Sequence, residues 1–373
     1  MKTLDEKKLL RNVEEIAQYD LENNNVFGSS YYVYQNGETI LKRHFGCADS
    51  EGSVRINDDT IFRMASMTKP ITAVAILILI DNGIISLSDP VHKFLPEFKD
   101  IHIISKEGID YGVSKTEVNV MQLLTHTSGL GTDKVVDLSE YDRKNIRNTL
   151  NCYIKAGLDF EPFSMQRYSP YAAFDALAAI VEEVTKQDYE LFLKENIFTP
   201  CNMKDTTFYP TKEQWNRLAV IHNKIDGKSV IGNIRDGCVF GQFPCEHKLA
   251  GAGLVSTLND YAYFGKMLLN GGIINNRQII SYDTFKLMNK AYVPKNIMPG
   301  NENWGLGVRV ITDESYGVLP VGTFGWSGAY GTHFWIDPSN NICAIFMKNS
   351  QFDGGSGNKS ACRFEEAVHN SFN

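Results

Sequence analysis

Ser66-Met67-Thr68-Lys69 places a hydroxyl and an amine three residues apart, at the head of an apolar run from Pro70 to Ile80 that ends at Asp81-Asn82-Gly83. The run predicts a buried helix opening at Ser66 and closed by Gly83, because glycine takes the left-handed conformation without steric cost. Positions i and i+3 share a helix face, so the Ser66 hydroxyl and the Lys69 amine should meet. A hydroxyl is a poor nucleophile until its proton is removed. A lysine taken out of water has a lowered pKa and prefers to be neutral. Unpaired backbone N–H groups at a helix start favour developing negative charge. Together these features describe an activated serine. The bland reading is a serine N-cap beside a solvated lysine, and the four-letter pattern alone does not separate the two.

The whole chain narrows the classes. Its 373 residues suggest roughly two domains, or one large domain with an insertion. Apolar residues at 43% are enough for a large core, and the net charge of −7 gives no basic footprint for nucleic acid. The N-terminus is charged where an export signal needs an apolar core, and the run at 71–80 is too short for a membrane span. The seven cysteines are scattered without a Cys-x-x-Cys pair. They predict reduced thiols in a cytoplasmic protein and neither a disulfide frame nor a metal site. No cofactor is expected.

The elements that must position Ser66 follow from periodicity. Residues 3–21 carry Leu9, Leu10, Val13, Ile16 and Ala17 at helical spacing. β-rich runs at 29–34 and 39–45 flank Asn36-Gly37, a strong hairpin signal. A short helix at 118–124 ends in Thr125-His126-Thr127-Ser128-Gly129. A Ser-His pair there is the alternative to a structural turn, but residues so close in a turn rarely oppose each other, and side chains bonding local backbone fit better. Residues 139–158 read as a polar helix, followed by a Pro-punctuated loop through Tyr168-Ser169-Pro170. A helix with Phe174, Leu177, Val181 and Val184 on one face comes next, then another from about 188 to 197. Residues 210–250 show little periodicity and read as long loops, of the kind that form a lid over a site. Strands are expected at 304–311, 324–328, 332–337 and 341–349, and a last helix from about Lys359. The fold class is therefore α+β: an antiparallel sheet from both chain ends, flanked by helices. Residues 1–85 and 241–373 form a discontinuous sheet domain and 86–240 a mainly helical one, with the Ser66 helix at the junction.

Five stretches, taken in order, resemble the serine β-lactamase and penicillin-binding protein superfamily, in its class C and family VIII esterase branch. They are Ser66-Met67-Thr68-Lys69, the Leu123–Leu130 stretch, Tyr168-Ser169, the segment Gly251-Ala252-Gly253-Leu254-Val255-Ser256-Thr257, and the pair of strands carrying Trp326-Ser327-Gly328 and Phe334 to Pro338. The resemblance implies that Ser66 is the acylated nucleophile, Lys69 its activating partner, and Tyr168 the group that exchanges protons with serine and leaving group. A nearby ammonium would stabilise the phenolate and lower the Tyr168 pKa. Without the resemblance Tyr168 reads as a packing residue, and Tyr171 is its nearest rival. The resemblance also implies an oxyanion hole from the backbone N–H groups of Ser66 and Ala329, with Trp326, Ser327 and Gly328 against the substrate. The bland reading of Gly328 is a strand bulge.

Two departures bear on specificity. Trp326 stands where the family carries the lysine of Lys-Thr-Gly, offering an aromatic wall without charge. Tyr168-Ser169-Pro170 replaces Tyr-x-Asn, and proline has no side-chain amide to offer. Both resemble the esterase branch. The expected activity is carboxylester hydrolysis through an acyl-enzyme on a small-molecule ester or amide. The alternatives are a β-lactamase or D-amino-acid peptidase, an acyltransferase, or a non-catalytic binding protein on the same fold.

Overall fold

The computed structural model describes residues 2–133, 145–232, 243, 245 and 247–373. Its centre is a seven-stranded antiparallel sheet built from the two ends of the chain: β1 (Gly28–Gln35), β2 (Glu38–Gly46), β3 (Glu302–Trp304), β4 (Arg309–Ile311), β5 (Phe324–Ser327), β6 (His333–Asp337) and β7 (Ile342–Met347), in the order β3-β4-β5-β6-β7-β1-β2. The β1–β2 turn has Asn36 and Gly37 both at positive φ, 53° and 95°, which suits the right-handed twist of a tight hairpin. β1 is buried on both faces. Tyr31 and Val33 meet the terminal helices, while Tyr32 meets the main core. Its register with β7, Ser30 opposite Met347 through Gln35 opposite Ile342, joins the N-terminal and C-terminal thirds.

The helices that matter here are α1 (Glu6–Glu22), α2 (Thr68–Asp81), α3 (Val120–Leu124), α4 (Ala172–Thr185), α5 (Leu258–Leu269) and α6 (Lys359–Asn370). α1 starts where the Asp5 side chain accepts the Lys8 N–H, and it packs with α6 over one face of the sheet. α2 is apolar all round, and residues 68–79 are all buried. Such a helix is stable only inside a protein, and the main core surrounds it.

Three expectations need correction. Ser66 does not open the helix. It lies in a 3-10 turn, Ala65–Met67, and α2 starts at Thr68. The run 304–311 is not one strand but two, β3 and β4. Between them Gly307 turns back at φ +70° and its N–H reaches the Leu124 carbonyl. Residues 210–232 are not all loop: a helix, Lys212–Asn216, precedes a hairpin of His222–Ile225 and Lys228–Ile231. The polar helix runs Ile146–Ala156. Positions 139–144 of that reading, and much of the lid expected before residue 250, lie outside the described residues. Among the described residues no helix is long and apolar enough to cross a membrane, and six cysteines are free.

Gly307 ties β3–β4 to α2. A Cβ there would stand 2.7 Å from Ala73 Cβ and 3.1 Å from the Lys69 carbonyl oxygen. Left-handed backbone and lack of room both oppose a side chain. Gly307→Ala is expected to cost about 2 kcal/mol in urea unfolding. A loss below about 0.5 kcal/mol would show that this contact yields freely.

Candidate active site

The turn that carries Ser66 is built from strain and burial. The strand Ile61–Arg63 pairs with Val255–Thr257, and Ala65 then takes φ +46°, a conformation that L residues avoid. This swings the chain sharply into the 3-10 turn and leaves Ser66 partly exposed at the mouth of the apolar helix.

Lys69 follows in the first turn of α2 and is 0% exposed. Its Nζ donates to the carbonyl oxygens of Pro170, at 2.7 Å, and Gly251, at 2.9 Å, and lies 3.4 Å from Ser66 Oγ. A neutral amine has two N–H bonds and one lone pair. With both N–H bonds given to carbonyls, the lone pair is left for the serine. Burial pulls the amine down to about 7, against the opposing attraction of the Asp175 carboxylate. The close approach of Gly251 needs its missing side chain, since a Cβ would stand 3.1 Å from the amine.

Tyr168 arrives from the loop before α4, and its hydroxyl is 2.7 Å from Ser66 Oγ. The Trp326 indole N–H donates to the same phenol oxygen at 3.2 Å. An indole nitrogen is a donor only, so the phenol oxygen accepts from it and its own proton points to Ser66. The ring is walled by His126, Trp304 and Trp326, at centroid distances of 4.5, 5.9 and 5.5 Å. The phenol pKa therefore moves opposite to expectation. Burial pushes it up to about 12, and the hydrogen bonds with Ser66 and Trp326 offset only part of this. The ammonium expected to lower it is the group that burial neutralises. Tyr171 lines the same cleft, but the phenol against Ser66 is that of Tyr168.

The β5 residues separate. Trp326 faces Tyr168. Ser327 does not face the cleft: it is buried, with Oγ 2.8 Å from His333 Nδ1, and His333 Nε2 is 2.9 Å from Glu365 Oε1 on α6. Neighbouring strand residues point to opposite faces, which corrects Ser327 as a substrate contact. Gly328 is needed for packing, because a Cβ would stand 2.4 Å from the Met64 carbonyl oxygen. Ala329 lines the cleft beside Ala65 and Ser66. Among the described residues, neither the Ser66 nor the Ala329 backbone N–H has a protein acceptor. The cleft holds about 470 Å³, and no charged side chain is among its described lining.

Sequence reasoning missed several contributors. His126 does not serve its own turn alone: Nδ1 accepts the Ser169 N–H at 3.0 Å, beside Tyr168. Ser128 does bond locally, accepting the Leu130 N–H. Trp304 read as an ordinary strand residue. Pro170 was weighed for the side chain it lacks, yet its carbonyl holds the amine. The one available signal for Asp175 was a carboxylate inside the otherwise apolar run 172–181. Among the described residues no cluster of His, Cys, Asp or Glu is placed to hold a metal.

The fold and the relatives of this chain define its class, the serine hydrolases of the β-lactamase superfamily. More particularly, residues 13–361 match the family described as Beta-lactamase, and the chain belongs to that family. It is 27% identical to Esterase EstB of Burkholderia gladioli, over 95% of this chain and 94% of that one. It is 26% identical to a putative D-alanyl-D-alanine carboxypeptidase of Salmonella gallinarum, over 87% and 77%. Its fold matches the solved structure of EstCE1, a hydrolase with promiscuous acyltransferase activity, with a TM-score of 0.84 at 23% identity, over 98% of this chain and 99% of that one. The β-lactamase/transpeptidase-like α+β architecture is thus the fold of this protein.

The amine accepts a proton only when neutral. With Lys69 at about 7, labelling of Ser66 by a fluorophosphonate is expected to be slow at pH 5, to rise through pH 7 and to stay level above pH 8. A rate independent of pH across this range would show that the amine does not govern the hydroxyl.

Proposed function

We propose that this protein is a carboxylesterase of the class C and family VIII esterase branch, acting through an acyl-enzyme on Ser66. The observation that carries the reading is the chain Trp326–Tyr168–Ser66–Lys69, in which the indole N–H donates to the phenol, the phenol O–H donates to Ser66 Oγ, and Lys69 Nζ lies 3.4 Å from that same oxygen. Ser66 Oγ attacks the ester carbonyl as its proton passes to Lys69 Nζ. The oxyanion is met by the N–H groups of Ser66 and Ala329. The carbon–oxygen bond of the leaving alcohol breaks as the Tyr168 hydroxyl protonates it, and the Lys69 ammonium restores the phenol. Water then attacks the acyl group, the same two residues carry its proton back to Ser66 Oγ, and the free acid leaves.

Ester preference rests on Trp326 and on the uncharged described lining of the cleft. A substrate carboxylate would find no cation among that described lining, while a neutral ester needs none. The reading is also supported by the likeness to Esterase EstB. The second reading, a D-alanyl-D-alanine carboxypeptidase, is favoured by the Salmonella relative. A third, acyl transfer, draws on the likeness to EstCE1 and requires that an alcohol replace water in the second half.

Turnover of p-nitrophenyl butyrate is expected to exceed that of nitrocefin and of a D-Ala-D-Ala peptide by about 100-fold or more in kcat/KM. Fast nitrocefin or peptide cleavage without ester turnover would reject the proposal. Tyr168→Phe removes the leaving-group proton and is expected to lower kcat by about 10²- to 10⁴-fold. Loss confined to KM would assign Tyr168 to binding alone.

A further inference from the structure

One buried acid has no part in the chemistry above. Asp175 lies on α4 and is 0% exposed. Its neighbours on the helix, Ala172, Ala173, Phe174, Ala176 and Leu177, are apolar and equally buried. A carboxylate in such a place is costly unless it is paired and hydrogen-bonded, so packing alone does not account for it. One oxygen accepts the Ala250 N–H at 2.9 Å, and the other lies 3.4 Å from Nε2 of His247, itself fully buried.

Ala250 is one residue before Gly251, whose carbonyl holds Lys69. The Ala250 carbonyl in turn accepts from Thr72 Oγ1 on α2 at 2.7 Å. The segment is therefore gripped from α4 through its N–H and from α2 through its carbonyls. The other polar groups around the amine carry no compensating charge. Ser66 and Tyr168 are hydroxyls, with Tyr168 protonated. His126 is held neutral by burial and, further, by Lys69. The Asp175 charge acts on Lys69 in the direction opposite to burial.

We propose that Asp175 is a positioning residue for the Lys69 amine, anchoring Ala250 beside the Gly251 carbonyl and supplying the buried counter-charge for the ammonium. The inference rests on the reading of Ser66 as nucleophile and Lys69 as its base. Burial sets most of the pH at which the serine becomes reactive, and Asp175 adjusts it upward.

Asp175→Asn keeps an oxygen for the Ala250 N–H and removes the charge. The test is the pH dependence of Ser66 phosphonylation by a fluorophosphonate, which needs no ester turnover. Without the carboxylate the amine loses its proton at lower pH, so the acid limb is expected to move down by about one unit. Asp175→Glu keeps the charge and is expected to return the limb toward wild type. If Asp175→Asn does not fold, Asp175→Ser removes the same charge with less bulk and should give the same shift. Folded, labelled Asp175→Asn or Asp175→Ser with an unmoved limb overturns the proposal, because a purely structural role lowers the rate equally at every pH. Absence of labelling in the wild type at any pH overturns the nucleophile reading, and the proposal falls with it. Normal labelling without ester turnover rejects only the assigned substrate.

Discussion

An amine held out of water between two carbonyls is the constraint on which this structure turns. Moving a lysine from its ordinary value near 10.5 to about 7 costs roughly 5 kcal/mol at neutral pH. That is comparable to the whole stability of many domains. The surrounding core offsets that cost. α2 is apolar on every side, α4 covers it, and Gly251 and Gly307 bring backbone within touching distance where any side chain would intrude. The same burial that is costly lowers the amine pKa, as the proposed role of a base requires. A solvated lysine on the same helix face would be protonated and would have no lone pair for Ser66.

The direction of the hydrogen bonds matters as much as their lengths. A lysine at position 326 would present an ammonium to the phenol and favour its anion, making the tyrosine a candidate base. Trp326 presents a neutral donor. It polarises the phenol without ionising it, and the phenol pKa rises with burial. In the proposed mechanism the proton-accepting role therefore falls to Lys69 and the proton-donating role to Tyr168. On the proposed mechanism, the tryptophan that first suggested altered substrate preference also divides the labour between the two groups. Trp304 packs against Trp326 in T-shaped contact at 4.6 Å and so backs that arrangement.

What was legible in the sequence was local. Ser66 and Lys69 are linked by helix geometry over three residues, and the Asn36-Gly37 hairpin by a turn of two. The α+β architecture followed from where the strand-like and helix-like runs fall. Tyr168 was legible only through resemblance, because nothing within its own loop distinguishes it from sixteen other tyrosines. Ser327 was misplaced although strand parity alone sets it on the face opposite Trp326. The break at Gly305-Leu306-Gly307 was hidden by the β-rich residues around it. His126, Asp175 and the Pro170 carbonyl meet the site through tertiary contacts spanning 43 to 101 positions, which periodicity does not report.

Two non-glycine residues in left-handed backbone flank the reactive groups: Ala65 at φ +46° before Ser66, and His126 at φ +57° against Tyr168. Each conformation costs on the order of 1–3 kcal/mol and persists only where neighbours over-determine it. Ala65 is fixed through the residue before it. The Met64 N–H donates to Leu254, and the Met64 carbonyl accepts from Thr332, at the end of the turn that carries Ala329. His126 is fixed through its ring on Ser169 and through its carbonyl, which accepts the Arg167 N–H. Those two bonds bracket Tyr168 from either side. The strain is thus applied at the residues that aim the hydroxyl and the phenol. Each strained residue is braced against an element that carries another part of the site. A relaxed turn at either place would be easier to form, but it would leave Ser66 Oγ free to wander from the single position where amine, phenol and the paired N–H groups converge.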